Sequence, residues 1–309
     1  MTNGWTTRHA LSVAATLLWL AIPAGAQRPT PDERVAELRT RLSGELQRIA
    51  SGFDGVLGAG VQDLTTGETI FIQADTLFPQ ASAIKIPVLL EVYRQAQAGT
   101  MKLDERVDIR KAQFAGGSGV LLRFSDGGSA LSIRDLAVLM IVLSDNTATN
   151  ILMDRAGMAA VNENLRRLGL TQTRVQRRML DVEAQRADRE NVSTPGEMVT
   201  LLERLYQGKA LDAAHTAAAL EILKYPKENS LRRGIPPGVE VADKPGSVPG
   251  VACNSAIVYV PGRPYVISVM TTYGRDAEAA GLAITQISRR VYEYFERLAN
   301  SNASGARVR

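Results

Sequence analysis

The ten residues Phe78-Pro-Gln-Ala-Ser-Ala-Ile-Lys-Ile-Pro87 decide how the rest of the sequence is interpreted. Ser82 and Lys85 stand three residues apart, where a short loop gives way to an apolar segment that continues to Val92. This spacing predicts a buried helix from Ser82, with both side chains on one face. Burial disfavours an ammonium ion, and a serine needs a neighbouring base to become a nucleophile. Lys85 is therefore a candidate base for the Ser82 hydroxyl.

A plain structural interpretation competes with the catalytic one. A chain of this length contains about one Ser-x-x-Lys by chance. Such a pair is by itself more typical of a helix cap followed by a solvated lysine. The apolar flank favours a function, because a lysine is costly to bury unless it has a partner or a task.

The first 26 residues differ in composition from the rest of the chain. Arg8 precedes a short apolar segment, and Ala24-Gly-Ala26 follows it. This pattern predicts a signal peptide, residues 1–26, cleaved before Gln27. An uncleaved anchor is the alternative, although the apolar segment is short for a membrane span. We expect a mature protein that is periplasmic or secreted, monomeric and without a membrane anchor.

Charge and rare residues exclude several kinds of site. The net charge is +4, and the basic residues form no long cluster, which argues against nucleic acid as a partner. Cys253 is the only cysteine, so an internal disulfide and a cysteine-rich metal site are excluded. His215 is the only histidine after the signal peptide, which favours lysine as the base. No metal or cofactor is expected.

The order of predicted elements indicates the fold class. An amphipathic first helix and two strands precede the Ser82 segment, and three strands and a closing helix end the chain. The region between them has helical patterns with glycine-rich interruptions, such as Gly116-Gly-Ser-Gly119. The simplest arrangement is an α/β (α+β) fold with one five-stranded, mainly antiparallel sheet flanked by helices.

The same order predicts the division of the chain into domains. An α/β subdomain would combine residues 30–95 and 221–300, and residues 96–220 would form an inserted all-helical subdomain. Residues 301–309 would be a loose tail. The Ser82 helix would lie where the two subdomains meet, a common place for a cleft.

Two further motifs accompany Ser82 and Lys85. Ser144-Asp-Asn146 interrupts an apolar helical stretch, and Lys244-Pro-Gly-Ser247 is predicted to end a strand. Taken separately, the first is typical of a turn between helices and the second of a turn after a strand. The combination of all three, in this order, is much less expected by chance.

With these motifs the chain resembles the class A β-lactamase family of penicillin-recognising serine enzymes. The match rests on the stretch around Ser82, on Leu143-Ser-Asp-Asn-Thr-Ala-Thr-Asn150 and on Val241-Ala-Asp-Lys-Pro-Gly246. Leu231-Arg-Arg-Gly-Ile-Pro236 also resembles the family segment before the third motif. The resemblance covers about residues 36–298 and implies the β-lactamase/transpeptidase-like fold.

The resemblance implies a role for each matching residue. Ser82 would attack the β-lactam carbonyl, Lys85 would take its proton, and Ser144 would pass a proton to the leaving nitrogen. Substrate-binding roles fall to four residues of the second and third motifs: Asn146, Lys244, Gly246 and Ser247. The backbone N–H groups of Ser82 and Ser247 would together form an oxyanion hole.

The resemblance fails where the family places its deacylating glutamate. That position falls on Met179 or Leu180, and the nearest carboxylates are Asp181 and Glu183. Either carboxylate would serve if the loop were built differently; otherwise both are ordinary loop charges. Pro245 also replaces a serine or threonine of the third motif.

Three hypotheses follow for the function. The first is an exported serine β-lactamase that hydrolyses the lactam amide through an acyl-Ser82 intermediate. The second is a D-alanyl-D-alanine carboxypeptidase or transpeptidase of the same fold with slow deacylation, related to class A-like D,D-peptidases. The third is a non-catalytic binder of β-lactams or of peptidoglycan. The partner is then a small β-lactam or a peptidoglycan stem peptide.

Overall fold

A computed structural model describes residues 1–2 and 31–308. Within residues 31–308 the strands are β1 Val56–Asp63, β2 Thr69–Ile72, β3 Phe78–Pro79, β4 Arg106–Asp108, β5 Ala130–Ser132, β6 Val192–Ser193, β7 Val241–Val248, β8 Val251–Val258 and β9 Tyr265–Thr272. The α-helices of the same part are α1 Pro31–Gly52, α2 Lys85–Gln97, α3 Ile133–Val142, α4 Asn146–Ala156, α5 Met158–Arg167, α6 Val182–Arg186, α7 Pro195–Tyr206, α8 Ala213–Lys224 and α9 Ala277–Ala299.

The central sheet has five strands in the order β2-β1-β9-β8-β7. Every neighbouring pair is antiparallel, so the predicted sheet is confirmed. Strand β1 pairs with β9 along its whole length, from Val56 opposite Thr272 to Asp63 opposite Tyr265. The two ends of the chain thus build one sheet.

The three middle strands of this sheet, β1, β9 and β8, are buried on both faces. Along β9 the side chains alternate, because successive residues of a strand point to opposite faces. Ile267 and Val269 pack in the core with helices α1 and α9, whereas Val266 and Met270 pack in the core that contains α2 and α7. Helices therefore flank the sheet, as predicted.

The expectation that residues 96–220 are wholly helical is wrong in detail. Strands β4 and β5 pair within this region, and β6 pairs with β3, the two residues that precede the Ser82 segment. Strands of two or three residues carry too little alternation to be visible in a sequence. The division into two subdomains stays a prediction.

The loose tail after residue 300 stays a prediction, and residues 301–308 make several contacts of their own. Ser301 bridges to Arg307, and the Asn302 side chain accepts the backbone N–H groups of Ser304 and Ala306. An asparagine that binds its own backbone in this way stabilises a turn. Arg307 then pairs with Glu296 of α9, which holds the tail to the helix.

The predicted signal peptide cannot be compared with the structure, because residues 3–30 lie outside the described part. Among the described residues, no helix combines the length and the apolar character needed to cross a bilayer.

Candidate active site

Ser82 lies in a 3-10 turn, Ala81–Ile84, that runs directly into α2. The predicted helix therefore begins as a tighter turn. Ala81 has a left-handed backbone, with φ of 41°, which is uncommon for a residue with a side chain. Strained backbone of this kind is concentrated at functional sites. The turn places Ser82, which is partly exposed, three residues before the buried Lys85.

Lys85 is the centre of the site. Its side chain is fully buried, and Nζ lies 3.1 Å from Ser82 Oγ and 3.0 Å from Ser144 Oγ. The same Nζ donates to the backbone oxygen of Ser144 at 2.8 Å and to Asn146 Oδ1 at 2.9 Å. The structure thus brings together the four residues that the first two motifs predicted.

The pKa of Lys85 is lowered to about 6, mainly by burial and to a smaller extent by the positive charge of Lys244. The carboxylate of Asp145 acts in the opposite direction. A neutral amine has two N–H groups and one lone pair. Because the Ser144 carbonyl and Asn146 Oδ1 can only accept, they take both N–H groups and leave the lone pair for a serine hydroxyl.

The second motif forms a turn between α3 and α4. Ser144 has φ of 52°, and Asp145 caps α4 by accepting the N–H of Ala148 at 2.9 Å. The Asp145 carboxylate also accepts the N–H groups of Val120 and Leu121 at 2.7 and 2.9 Å. This buried carboxylate ties the turn to the glycine-rich loop, so the position of Ser144 depends on both.

The third motif lies inside β7 and does not end it. A proline in a sheet is tolerated on an edge strand, where no partner needs its missing N–H, and β7 is such an edge. Lys244 is buried and donates to the backbone oxygen of Pro245 at 2.8 Å. Burial lowers its pKa to about 8, with Asp243 opposing this shift. Within the described residues it makes no hydrogen bond to Ser144.

Gly246 lets β7 approach the nucleophile. A Cβ at this position would lie 2.7 Å from the backbone nitrogens of Ser82 and Ala83 and from the oxygen of Gln80. These are backbone atoms that cannot move aside cheaply. The strand therefore lies directly against the amide of Ser82.

We expect Gly246→Ala to lower the melting temperature by several degrees, because the new methyl group must push the strand away from the turn. Differential scanning calorimetry measures this. Gly44→Ala is the matched control: Gly44 lies in helix α1 with nothing within 4 Å of its added Cβ. That control should be stabilised slightly, since alanine favours helices. Equal melting temperatures for both variants would contradict the close approach.

The loop that carries Met179 and Leu180 is fixed by buried contacts. Arg177 pairs with Glu190, and Asn150 holds Met179 by two hydrogen bonds, accepting its N–H and donating to its carbonyl. Leu180 has φ of 59°, is about half exposed (48%) and lines the cleft beside Ser82. The cleft wall formed by this loop therefore carries the apolar side chain of Leu180.

The two loop carboxylates lie elsewhere. Asp181 accepts the N–H of Ala184 and caps α6, and Glu183 is exposed in the first turn of that helix. Neither is among the residues that line the cleft. The neighbouring arginines pair with other carboxylates, Arg177 with Glu190 and Arg178 with Asp154.

One cleft of about 630 Å³ joins the three motifs, a size typical of a small-molecule site. Its wall includes the predicted residues Ser82, Ser144, Asn146, Lys244, Gly246 and Ser247. Among the described residues that line it, Glu228 is the only acidic one, and it belongs to the segment before β7.

Sequence reasoning missed three contributors. The sequence patterns indicate no role for Asp145, for Ser118 or for the contact of Asn150 with Met179. Ser118 donates to the backbone oxygen of Ser144 at 2.6 Å. The glycines around Ser118 were a usable signal, because a loop that packs tightly against a turn needs them.

The fold places a serine and a buried lysine within hydrogen-bond distance at the edge of the sheet. This combination is that of class A β-lactamase-like serine hydrolases. Sequence comparison gives the same result, since a model of the Beta-lactamase enzyme family matches residues 41–295. The chain belongs to the β-lactamase enzyme family.

Individual relatives are distant but aligned over most of their length. β-Lactamase SME-1 of Serratia marcescens is 26% identical over 254 residues, covering 79% of this chain and 86% of that protein. The β-lactamase structure from Sphaerobacter thermophilus is 31% identical with a TM-score of 0.74, covering 84% and 97% of the two chains. PBP-A is 29% identical with a TM-score of 0.77, covering 83% and 96%. A leucine-to-glutamate mutant of PBP-A has been solved as an acyl-enzyme complex with penicillin G.

Proposed function

We propose that the protein is an exported serine β-lactamase that opens the lactam amide through an acyl-Ser82 intermediate. The observation that carries this proposal is the set of four contacts of Lys85 Nζ. Two acceptor-only oxygens orient the neutral amine, and its lone pair is left for the hydroxyl of Ser82.

Acylation would proceed in two stages, attack by Ser82 and then departure of the lactam nitrogen. Ser82 Oγ bonds to the carbonyl carbon while its proton passes to Lys85 Nζ. The carbon–nitrogen bond of the lactam then breaks, and the proton returns through Ser144 Oγ, 3.0 Å from Nζ, to the leaving nitrogen. Ser144 is suited to this because one amine contacts both hydroxyls.

The binding roles follow from position and charge. Backbone N–H groups of Ser82 and Ser247 would stabilise the oxyanion, a contribution of about 3 kcal/mol for one donor in related chemistry. The closeness of Gly246 to the Ser82 amide supports this. Lys244 supplies positive charge for a substrate carboxylate, and Asn146, whose amide is bound to Lys85 and Gly116, borders the acyl side chain.

A second candidate is a D-alanyl-D-alanine carboxypeptidase or transpeptidase that uses the same acylation. Leu180 favours it, because an apolar side chain cannot activate the water that hydrolyses the ester. Asp181 and Glu183 stay possible bases only if the loop rearranges from its capped conformation. The two candidates differ in the lifetime of the acyl-enzyme and not in its formation.

The test is mass spectrometry of the intact protein after mixing with benzylpenicillin. Both candidates require an adduct that equals the penicillin mass, located on the peptide with Ser82. Rapid loss of the adduct with turnover of a chromogenic cephalosporin supports the β-lactamase. A persistent adduct, together with release of D-alanine from a peptide, supports the peptidase. An unlabelled protein would reject both and leave the non-catalytic binder.

We expect the rate of acylation to depend on the protonation of Lys85. The neutral amine is the reactive form, so the rate should rise with pH and reach half its maximum near the pKa of about 6. Below that value it should fall about tenfold per pH unit. For substrates with a carboxylate, binding should weaken as pH rises through the pKa of Lys244, about 8. Stopped-flow acylation across this pH range measures both the change in rate near pH 6 and the change in binding near pH 8. A rate that does not change with pH around 6 would contradict the role of Lys85.

A further inference from the structure

The glycine-rich loop before α3 contacts every residue of the Ser144-Asp-Asn146 turn. The Asn146 side chain donates to the oxygen of Gly116 at 2.9 Å, and the Asn146 backbone N–H donates to the oxygen of Ser118 at 3.0 Å. The Asp145 carboxylate accepts two N–H groups from the following residues of the loop. The loop and the turn therefore form one unit.

Two glycines make this contact possible. Gly117 and Gly119 have φ of 76° and 115°, where side chains are strained. A Cβ at Gly119 would lie 2.3 Å from the carboxylate of Asp145, and one at Gly117 would lie 2.8 Å from Nδ2 of Asn146. Between them stands Ser118, an exposed residue whose hydroxyl faces Ser144.

Two donors converge on the backbone oxygen of Ser144. Ser118 Oγ donates to it at 2.6 Å and Lys85 Nζ at 2.8 Å. Ser144 is in the left-handed region, and such a conformation persists when its surroundings fix it. The hydrogen bond from Ser118 to the Ser144 oxygen does not depend on the protonation state of Lys85. It can therefore hold the Ser144 peptide in place while Lys85 gains and loses a proton.

We infer that Ser118 is a positioning residue for acylation: its hydroxyl holds the strained Ser144 peptide so that Ser144 Oγ stays within reach of Lys85. This inference rests on the proposed acylation of Ser82. A misplaced proton donor slows the chemical step more than it weakens binding. Ser118 should therefore affect the maximal rate of acylation and leave the noncovalent affinity for the β-lactam nearly unchanged.

The experiment is stopped-flow acylation by benzylpenicillin over a range of concentrations, which separates the maximal rate from the dissociation constant. Ser118→Ala should lower the maximal rate about tenfold, the factor that corresponds to losing one neutral hydrogen bond. Ser118→Thr keeps the hydroxyl and should restore most of the rate. Ser125→Ala removes another exposed hydroxyl from the same region and should have no effect.

Each other result overturns the inference. An unchanged maximal rate for Ser118→Ala, a threonine variant as slow as alanine, or a loss confined to affinity would show that the hydroxyl does not position Ser144. If Ser118→Ala no longer unfolds cooperatively, Ser118→Cys, with a thiol that donates only weakly, gives the same comparison. Failure of the wild-type protein to become labelled would instead reject the proposed function.

Discussion

Lys85→Met should slow acylation of Ser82 about 1,000-fold, the middle of the range that a general base contributes. Methionine has a similar length and no lone pair on nitrogen, so Ser82 loses its proton acceptor while the cavity stays filled. Burying a methionine also costs less than burying an amine. The variant should therefore remain folded, and the loss should be chemical. Stopped-flow labelling with benzylpenicillin measures the rate.

The control for this prediction is Lys224→Met. Lys224 is partly buried, at 31% exposure, but it lies on α8 and pairs with Glu240 away from the cleft wall. Its replacement should leave the acylation rate within about twofold of wild type, since surface ion pairs contribute little. A Lys85→Met protein that acylates as fast as this control would reject Lys85 as the base.

Leu180→Glu should shorten the lifetime of the penicilloyl adduct about 100-fold, the lower end of what a general base provides. Leu180 lines the cleft, is about half exposed and already has a left-handed backbone. Glutamate would thus add a carboxylate at the cleft wall without burying a new charge. It could activate a water for attack on the acyl-Ser82 ester. Time-resolved mass spectrometry of the adduct measures the lifetime.

Val182→Glu is the matched control, because Val182 is about equally exposed, at 50%, and lies two residues further along the chain, at the start of α6. It does not line the cleft, so its glutamate should leave the lifetime unchanged. The same lifetime in the Leu180 and Val182 variants would show that the hydrolytic water reaches the ester from another wall. Formation of the adduct should be unaffected in both proteins.

The sequence predicted the central contacts because they depend on short-range geometry. Three-residue spacing places Ser82 and Lys85 on one side of a turn, whether that turn is 3-10 or α. The five-stranded sheet was also predictable, since its strands are long enough to show their pattern.

What the sequence did not predict depends on tertiary context. The proline at position 245 indicates the end of a strand unless one knows that β7 is an edge. Two-residue strands such as β3 leave no periodic signal. The contact of Ser118 with Ser144 joins residues 26 positions apart, and nothing local specifies that pairing.

The pairing of β1 with β9 has a consequence for when the protein becomes reactive. Contacts between distant parts of a chain form late in folding, because closing a long loop costs entropy. Strand β7 belongs to the same sheet and brings Lys244, Gly246 and Ser247 to the cleft. We therefore expect a partly folded chain, in which the last strands have not yet paired, to lack this wall of the cleft and to be acylated slowly.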